Sequence, residues 1–176
     1  MKWITATAIL VLTIGRAFAG DLPDSSKTPG KALDAVPDAQ AAECLTKLMK
    51  QPVKAGQPIS HEMLCHDLYT TCIRNVTKEE KDQVYKNYNL PGGDHTGVCS
   101  GSEGCEIDHL ISLEIGGAND EKNLWPQPYQ GTWNAHLKDQ LEKHFQKMIC
   151  ANQIPLAEAQ KEISTNWIEA YKKYIQ

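Results

Sequence analysis

The sequence predicts an α+β fold that is mostly helical, with one short extended segment between an N-terminal and a C-terminal group of helices. Apolar residues recur at helical spacing over 37–50 and 60–72 before this segment, and over 133–150 and 155–176 after it. Between them, residues 106–126 combine apolar residues, a Gly-Gly turn and several polar side chains, which is typical of a strand followed by a tight loop. We therefore expect helices to flank the segment that carries most of the chemistry.

Local signals indicate where the helices begin. Ser60 opens the second helical stretch, and Thr77 with Glu80 matches a capping box before a third helix. The stretch from Trp133 has the apolar spacing of an amphipathic helix of about four to five turns. Pro155 suits the first turn of a closing helix that runs to the C-terminus.

Residues 1–19 have the pattern of a secretory signal peptide. A positive charge at Lys2 precedes an apolar run, and a small-x-small cleavage pattern occupies residues 17–19. The apolar run ends at Arg16, well short of the ~20 residues that span a bilayer as a helix. We expect cleavage, a secreted or periplasmic mature protein, and no membrane contact afterwards.

The remaining chain has the length of one domain. Removing residues 1–19 from the 176-residue chain leaves 157 residues, enough for a moderate core. Residues 20–37 are rich in Pro, Ser, Asp and Gly and are predicted to be a flexible lead-in. A single domain is expected over 38–176, with its principal motif at 105–150. The oligomeric state does not follow from the sequence.

Six cysteines in an exported chain predict up to three disulfides. Many pairings are open, and only Cys99 and Cys105 are close enough in sequence to look like a local bridge. A zinc–thiolate site is the rival use of these thiols, but the chain contains no Cys-x-x-Cys pair. Disulfides are the preferred interpretation.

The charge of the chain does not favour tight, passive binding of nucleic acid. The 18 basic and 22 acidic residues become 16 and 22 once Lys2 and Arg16 leave with the signal, a formal net charge of −6. Proteins that hold nucleic acid through phosphate contacts usually present a basic stripe. Hydrolysis remains compatible with this charge, because a catalyst needs only a local positive path to its site.

The adjacent Asp108 and His109 fit the two tasks of phosphodiester hydrolysis. Such a reaction needs a water activated near neutral pH and a cation beside the charge that develops on the phosphate. Neighbouring side chains of an extended segment point to opposite sides, so one residue can bind a metal while the other faces the water. Histidine titrates near physiological pH, which suits a general base.

The motif resembles the HNH family of nucleases. The pattern Glu-x-Asp-His-Leu-Ile-x-Leu-Glu-x-Gly-Gly, followed by Asn-Leu-Trp-Pro-Gln, is similar to exported bacterial HNH endonucleases over roughly residues 100–150. The resemblance implies a small ββα-metal core flanked by the N- and C-terminal helices. It further implies that Asp108 binds a divalent metal, that His109 is the general base, and that Asn123 belongs to the catalytic motif as a brace of the loop.

The resemblance also implies a further metal ligand on the helix that follows, where two residues qualify. Asn134 lies nearer to the family's usual spacing, whereas His136 is the stronger ligand for a transition metal and is preferred. Asp139 and Glu106 are additional oxygen donors suited to a Mg²⁺-type ion. We expect one divalent ion as cofactor, Mg²⁺ first, with Mn²⁺, Zn²⁺ or Ni²⁺ as alternatives.

Lysines near the motif are candidates for contact with substrate phosphates. Lys138 and Lys143 are the two chosen, although an ordinary solvated helix face is the simpler interpretation for either. His144 is interpreted as a solvated histidine of the same helix, and Trp125 as a packing residue.

The expected function is a secreted metal-dependent endonuclease that hydrolyses DNA, or RNA, with low sequence specificity. No helix-turn-helix, zinc finger or long basic tail accompanies the motif, so site-specific cutting is not expected. Two alternatives stay open. One is an exported, disulfide-bonded binding module that keeps the fold without turnover, and the other is a hydrolase of a different phosphoester.

Overall fold

A computed structural model of the chain describes residues 21–91, 99 and 104–176. The fold is α+β, and about half of the described residues are helical. The signal peptide predicted over residues 1–19 lies outside the described residues, as does part of the loop before Cys105. The described helices are α1 (Ala39–Met49), α2 (His61–Leu64), α3 (Tyr69–Ile73), α4 (Lys78–Asn87), α5 (Ala135–Cys150) and α6 (Leu156–Tyr174).

A two-stranded antiparallel sheet lies between α4 and α5 in the chain. Strand β1 (Cys105–His109) pairs with β2 (Leu124–Pro128), and two short 3-10 turns, Leu113–Ile115 and Glu121–Asn123, lie in the connection. In this register Asp108 is opposite Trp125. The chain therefore runs strand, compact loop, strand, helix through the segment in which the sequence concentrates its polar motif.

The helices enclose the main hydrophobic core. Leu45 of α1, Phe145 of α5 and Trp167 of α6 are all fully buried in it. The aromatic ring of Trp133 packs edge-on against Trp167, with ring centroids 6.0 Å apart. Because α5 contributes one face to this core, its orientation relative to β1 is set by packing.

The second helical stretch is divided, in contrast to the single helix expected from Ser60 to Cys72. Helix α2 begins as predicted, with the Ser60 hydroxyl accepting from the backbone N–H of Met63 at 3.1 Å. It ends after one turn, and the ring Nδ1 of His66 accepts from the backbone N–H of Leu68 at 3.3 Å. A side chain that binds a nearby backbone group offers an alternative to the helical hydrogen bond, which accounts for the break.

The capping box expected before α4 is confirmed. The hydroxyl of Thr77 accepts from the backbone N–H of Glu80 at 3.2 Å, and the Glu80 carboxylate accepts from the backbone N–H of Thr77 at 2.7 Å. Two of the unpaired N–H groups at the start of α4 are satisfied in this way.

Residues 21–37, predicted to be part of a flexible lead-in, form hydrogen bonds with the rest of the fold. The hydroxyl of Thr28 is buried and donates to the carbonyl of Leu124 at 2.8 Å. The backbone N–H of Gly30 donates to the carbonyl of Lys122 at 3.0 Å. A composition rich in Pro, Ser and Gly predicts irregular backbone. Here that irregular backbone is hydrogen-bonded to Lys122 and Leu124, at the start of β2.

Three disulfides join the described elements, as the six cysteines predict. They link Cys44 with Cys72, Cys65 with Cys150, and Cys99 with Cys105. The local bridge expected between Cys99 and Cys105 is among them. Within residues 21–91 and 104–176, none of the helices combines the length and apolarity needed to cross a membrane.

We expect the Cys65–Cys150 bridge to contribute most to stability, because its cysteines are 85 residues apart whereas Cys99 and Cys105 are 6 apart. Replacing both Cys65 and Cys150 with Ala should lower the free energy of unfolding by roughly 4 to 5 kcal/mol, and the same change at Cys99 and Cys105 by roughly 2 kcal/mol. Equilibrium unfolding in urea would measure both. Equal losses would contradict the expectation.

Candidate functional site

Strand β1 ends in the pair that the sequence analysis singled out. The Asp108 side chain is partly buried, and His109 is buried with 5% of its surface exposed. Backbone pairing of both residues with β2 fixes the direction in which their side chains leave the strand. The two residues are therefore held by the sheet rather than by a mobile loop.

Lys138 of α5 is fully buried beside this pair. Its ammonium donates to Asp108 Oδ2 at 2.6 Å and to the backbone carbonyl of His109 at 2.7 Å. It also donates to Oε1 of Glu142, one helical turn later. A buried lysine requires such partners, because an isolated ammonium group loses its hydration without compensation.

The charges in this cluster support one another. Burial by itself lowers the pKa of Lys138, but the carboxylates of Asp108 and Glu142 outweigh burial and hold that pKa above its ordinary range. Burial raises the pKa of the Glu142 carboxyl, and the Lys138 ammonium opposes part of that rise. Lys138 therefore stays charged, and it bridges α5 to the end of β1.

This position does not fit the substrate-binding role predicted for Lys138. Its side chain has no exposed surface, and its ammonium faces two carboxylates and a carbonyl. Lys143, the second candidate, is exposed on α5 and remains available to a ligand. Lys138 is thus part of the interior of the site and does not lie on a solvated helix face.

The surroundings of His109 shift its pKa. Its Nε2 lies 2.9 Å from the amide oxygen Oδ1 of Asn119. Burial lowers the pKa of His109. The charge of Asp108 and the hydrogen bond with Asn119 oppose this shift, whereas the positive charges of Arg74 and Lys138 add to it. A neutral imidazole at neutral pH has an unprotonated ring nitrogen, as a general base requires.

Asn123 makes the hydrogen bonds expected of a brace. Its Oδ1 accepts from the backbone N–H groups of Ile111 and Lys31, at 2.9 and 3.1 Å. Its Nδ2 donates to the carbonyls of Ile111 and Ala118, at 2.9 and 3.0 Å. The side chain is fully buried, so it organises the loop from within and does not face a ligand.

Gly117 of the Gly-Gly turn is required by close packing. A Cβ at this position would lie 1.7 Å from the carbonyl oxygen of Ile111 and 3.0 Å from Nδ2 of Asn123. The loop can therefore close around Asn123 only with glycine here.

Further carboxylates lie near the Asp108–His109 pair. Burial raises the pKa of Glu106, and the charges of Asp108 and Asp139 raise it further. Burial likewise raises the pKa of Glu114, with Asp139 adding to the rise. Oε2 of Glu114 is buried without a hydrogen-bond partner. Glu106 and Glu114 therefore offer the carboxylate oxygens that hard divalent cations prefer.

The carboxylates are not assembled into a metal site in advance. Within the described residues, no three His, Cys, Asp or Glu side chains are close enough together to hold an ion. One oxygen of Asp108 is already engaged by Lys138. A cation bound here would therefore contact Oδ1 of Asp108, and neighbouring side chains would have to move to supply its other ligands.

The two candidates for a ligand on the helix occupy different environments. Asn134 caps α5: its Oδ1 accepts from the backbone N–H of Leu137 at 3.2 Å, and its Nδ2 donates to the carbonyl of Gly131 at 3.1 Å. His136 is exposed, and its ring lies 5.8 Å from that of Tyr129, whose hydroxyl donates to Glu106. Asn134 is thus committed to the helix end, whereas His136 is accessible near Glu106.

Three residues of the site escape sequence reasoning. Asn119 reaches His109 from the loop, Glu142 pairs with Lys138, and the exposed Arg74 after α3 acts on the charges of the site. Only Glu142 leaves a sequence signal, because a Lys and a Glu four residues apart on a helix can pair. Asn119 and Arg74 reach the site through tertiary contacts that no local pattern indicates.

We expect Lys138→Met to lower the free energy of unfolding by about 3 to 5 kcal/mol, because it leaves the Asp108 and Glu142 carboxylates without their buried partner. Lys143→Met on the exposed face of the same helix is the matched control and should change stability by about 0.5 kcal/mol or less. Equilibrium denaturation of both variants gives the comparison. Equal stability of the two would show that the buried cluster has little effect.

A comparison with protein-family models, curated proteins and solved structures returned no match to this chain. The resemblance to HNH nucleases accordingly rests on the motif of residues 106–127.

Proposed function

We propose that the protein is an exported metal-dependent endonuclease of the HNH type, which hydrolyses phosphodiester bonds of DNA or RNA with little sequence preference. The observation that supports this most strongly is the buried His109 beside Asp108, with its Nε2 2.9 Å from the amide oxygen of Asn119. The order of β1, compact loop, β2 and α5 is compatible with a ββα-metal core.

In this proposal His109 is the general base. The free nitrogen of its imidazole takes the proton of a water molecule as the water oxygen attacks phosphorus, and the ester oxygen leaves. A neutral imidazole can do this near neutral pH, and burial keeps it neutral. Asn123 and Gly117 act indirectly, because they shape the loop that carries Asn119.

Asp108 is the proposed ligand of one divalent ion, Mg²⁺ first. When bound, the ion would supply positive charge beside the phosphate oxygens and the leaving group. Glu106 and Asp139 are the proposed oxygen donors to complete its surroundings. His136 is the preferred helix ligand, because Asn134 is committed to capping α5. Lys138 holds Asp108 through Oδ2, which leaves Oδ1 for the ion.

Arg74 and Lys143 are the proposed contacts for substrate phosphates. Both are exposed, and the positive charge of each lowers the pKa of Glu114. A local pair of cations reconciles nuclease activity with the net acidity of the chain, since phosphate contacts depend on local potential.

The second candidate is an exported binding module without turnover. It is favoured by the Lys138–Asp108 ion pair, which already neutralises the proposed metal ligand, and by the lack of a preassembled metal group among the described residues. Hydrolysis of a different phosphoester is a further alternative, to be separated by competition between nucleic acid and a small phosphodiester.

We expect the purified mature protein to cleave plasmid DNA or RNA with Mg²⁺ or Mn²⁺ and to lose this activity in EDTA. His109→Ala should lower kcat by about 100-fold or more, because the general base is lost. His144→Ala, on the half-exposed face of α5, is the matched control and should retain full activity. Gel assays under single-turnover conditions measure both variants.

Two results would contradict this proposal. Absence of cleavage of either nucleic acid in every divalent metal would favour the binding module. Undiminished cleavage by the His109→Ala variant would exclude His109 as the base while leaving nuclease activity established.

We expect Arg74→Gln to raise KM for nucleic acid several-fold with little change in kcat. The slope of log KM against log salt concentration should fall by about one, as for the loss of one phosphate contact. The control is Lys54→Gln, which removes an exposed positive charge that takes no part in the contacts of the site. Steady-state assays over a range of salt concentrations would distinguish the two. An unchanged salt dependence in the Arg74 variant would remove Arg74 from the substrate path.

A further inference from the structure

Asn119 connects His109 to a distant part of the fold through the two ends of one amide group. Its Oδ1 lies 2.9 Å from Nε2 of His109, and its Nδ2 donates to the backbone carbonyl of Ile73 at 2.6 Å. Asn119 follows the Gly-Gly turn, whereas Ile73 is the last residue of α3. The side chain therefore bridges the loop between the strands and a helix 46 residues earlier in the chain.

The carbonyl of Ile73 determines which way the amide of Asn119 is turned. A carbonyl oxygen only accepts hydrogen bonds, so the group of Asn119 that faces it must be the donor, Nδ2. The reversed amide would place two oxygens against each other. Oδ1 of Asn119 consequently faces His109.

An amide oxygen facing Nε2 selects one form of the neutral imidazole. Since Oδ1 can only accept, Nε2 of His109 must carry the hydrogen, and Nδ1 is left with its lone pair. The opposite tautomer would place two acceptors against each other at a buried position.

The anchor of this arrangement is itself held firmly. Ile73 is buried with 1% of its surface exposed, and the preceding residue, Cys72, is bonded to Cys44 of α1. A covalent link and core packing thus fix the carbonyl to which Asn119 is tied. Partners of this kind orient a functional histidine through its second ring nitrogen.

We propose that Asn119 is the positioning residue of His109: it selects the tautomer that is protonated on Nε2 and so presents Nδ1 as the basic nitrogen. The catalytic consequence rests on the proposed nuclease function, whereas the tautomer itself is a property of the folded chain. Asn119 does not contact the reacting atoms and acts only through His109.

The test is nitrogen NMR of isotopically labelled mature protein, at a pH where the imidazole is neutral. His109 in the wild type should show a protonated Nε2 and an unprotonated Nδ1. Asn119→Leu, which keeps the approximate volume but removes both hydrogen bonds, should convert this signature to a mixture of tautomers. Asn87→Ala, which removes an exposed amide bonded to Glu121, is the control and should leave the signature unchanged.

Activity gives the second readout. Asn119→Leu should lower kcat by about 10-fold to 100-fold with a smaller change in KM, because the base is misoriented while the phosphate contacts remain. A wild-type His109 protonated on Nδ1 would overturn the proposal, and this result needs no variant to fold. An unchanged tautomer in Asn119→Leu would overturn it as well, even if kcat fell.

The two proposals can fail separately. Suppose that the wild-type protein cleaves no nucleic acid, but that His109 has the expected tautomer and loses it in Asn119→Leu. The nuclease function would then be excluded, and the positioning role of Asn119 would be supported. If cleavage requires His109 but the tautomer is the opposite one, the nuclease function stands and the role of Asn119 falls.

Discussion

The buried ammonium group of Lys138 is the constraint on which the candidate site depends. It lies between the carboxylates of Asp108 and Glu142 and also binds the carbonyl of His109. Two carboxylates this close in a desolvated interior repel each other unless a cation lies between them. The same ammonium group joins α5 to the end of β1, so the electrostatic requirement and the geometry of the site are met by one side chain.

The Asp108–His109 pair is held by side chains from two different elements. Lys138 reaches it from α5, and Asn119 reaches it from the loop while bound to Ile73 of α3. Disulfides restrain both supporting helices, since Cys150 ends α5 and Cys72 lies in α3. A small domain with a moderate core gains rigidity from such links where a larger protein would rely on packing.

Much of the fold was accessible from the sequence, because it depends on signals that span few residues. The helical spacing around Leu45 and Phe145 and the capping box at Thr77 both involve neighbours within about one turn or two of a helix. The division of the second helix and the packing of residues 21–37 were not accessible. Both result from competing hydrogen bonds, at His66 and Thr28, that hydrophobic periodicity does not register.

By itself the sequence determined which residues are the candidates for the site, since Asp108, His109 and Asn123 belong to one continuous motif. The tertiary structure decided what surrounds them. Lys138 moved from a predicted solvated face into the interior, and Asn119 acquired its role only through a carbonyl 46 residues away. Sequence patterns report local spacing, whereas burial, charge pairing and the protonated form of a histidine depend on partners that only the folded chain brings together.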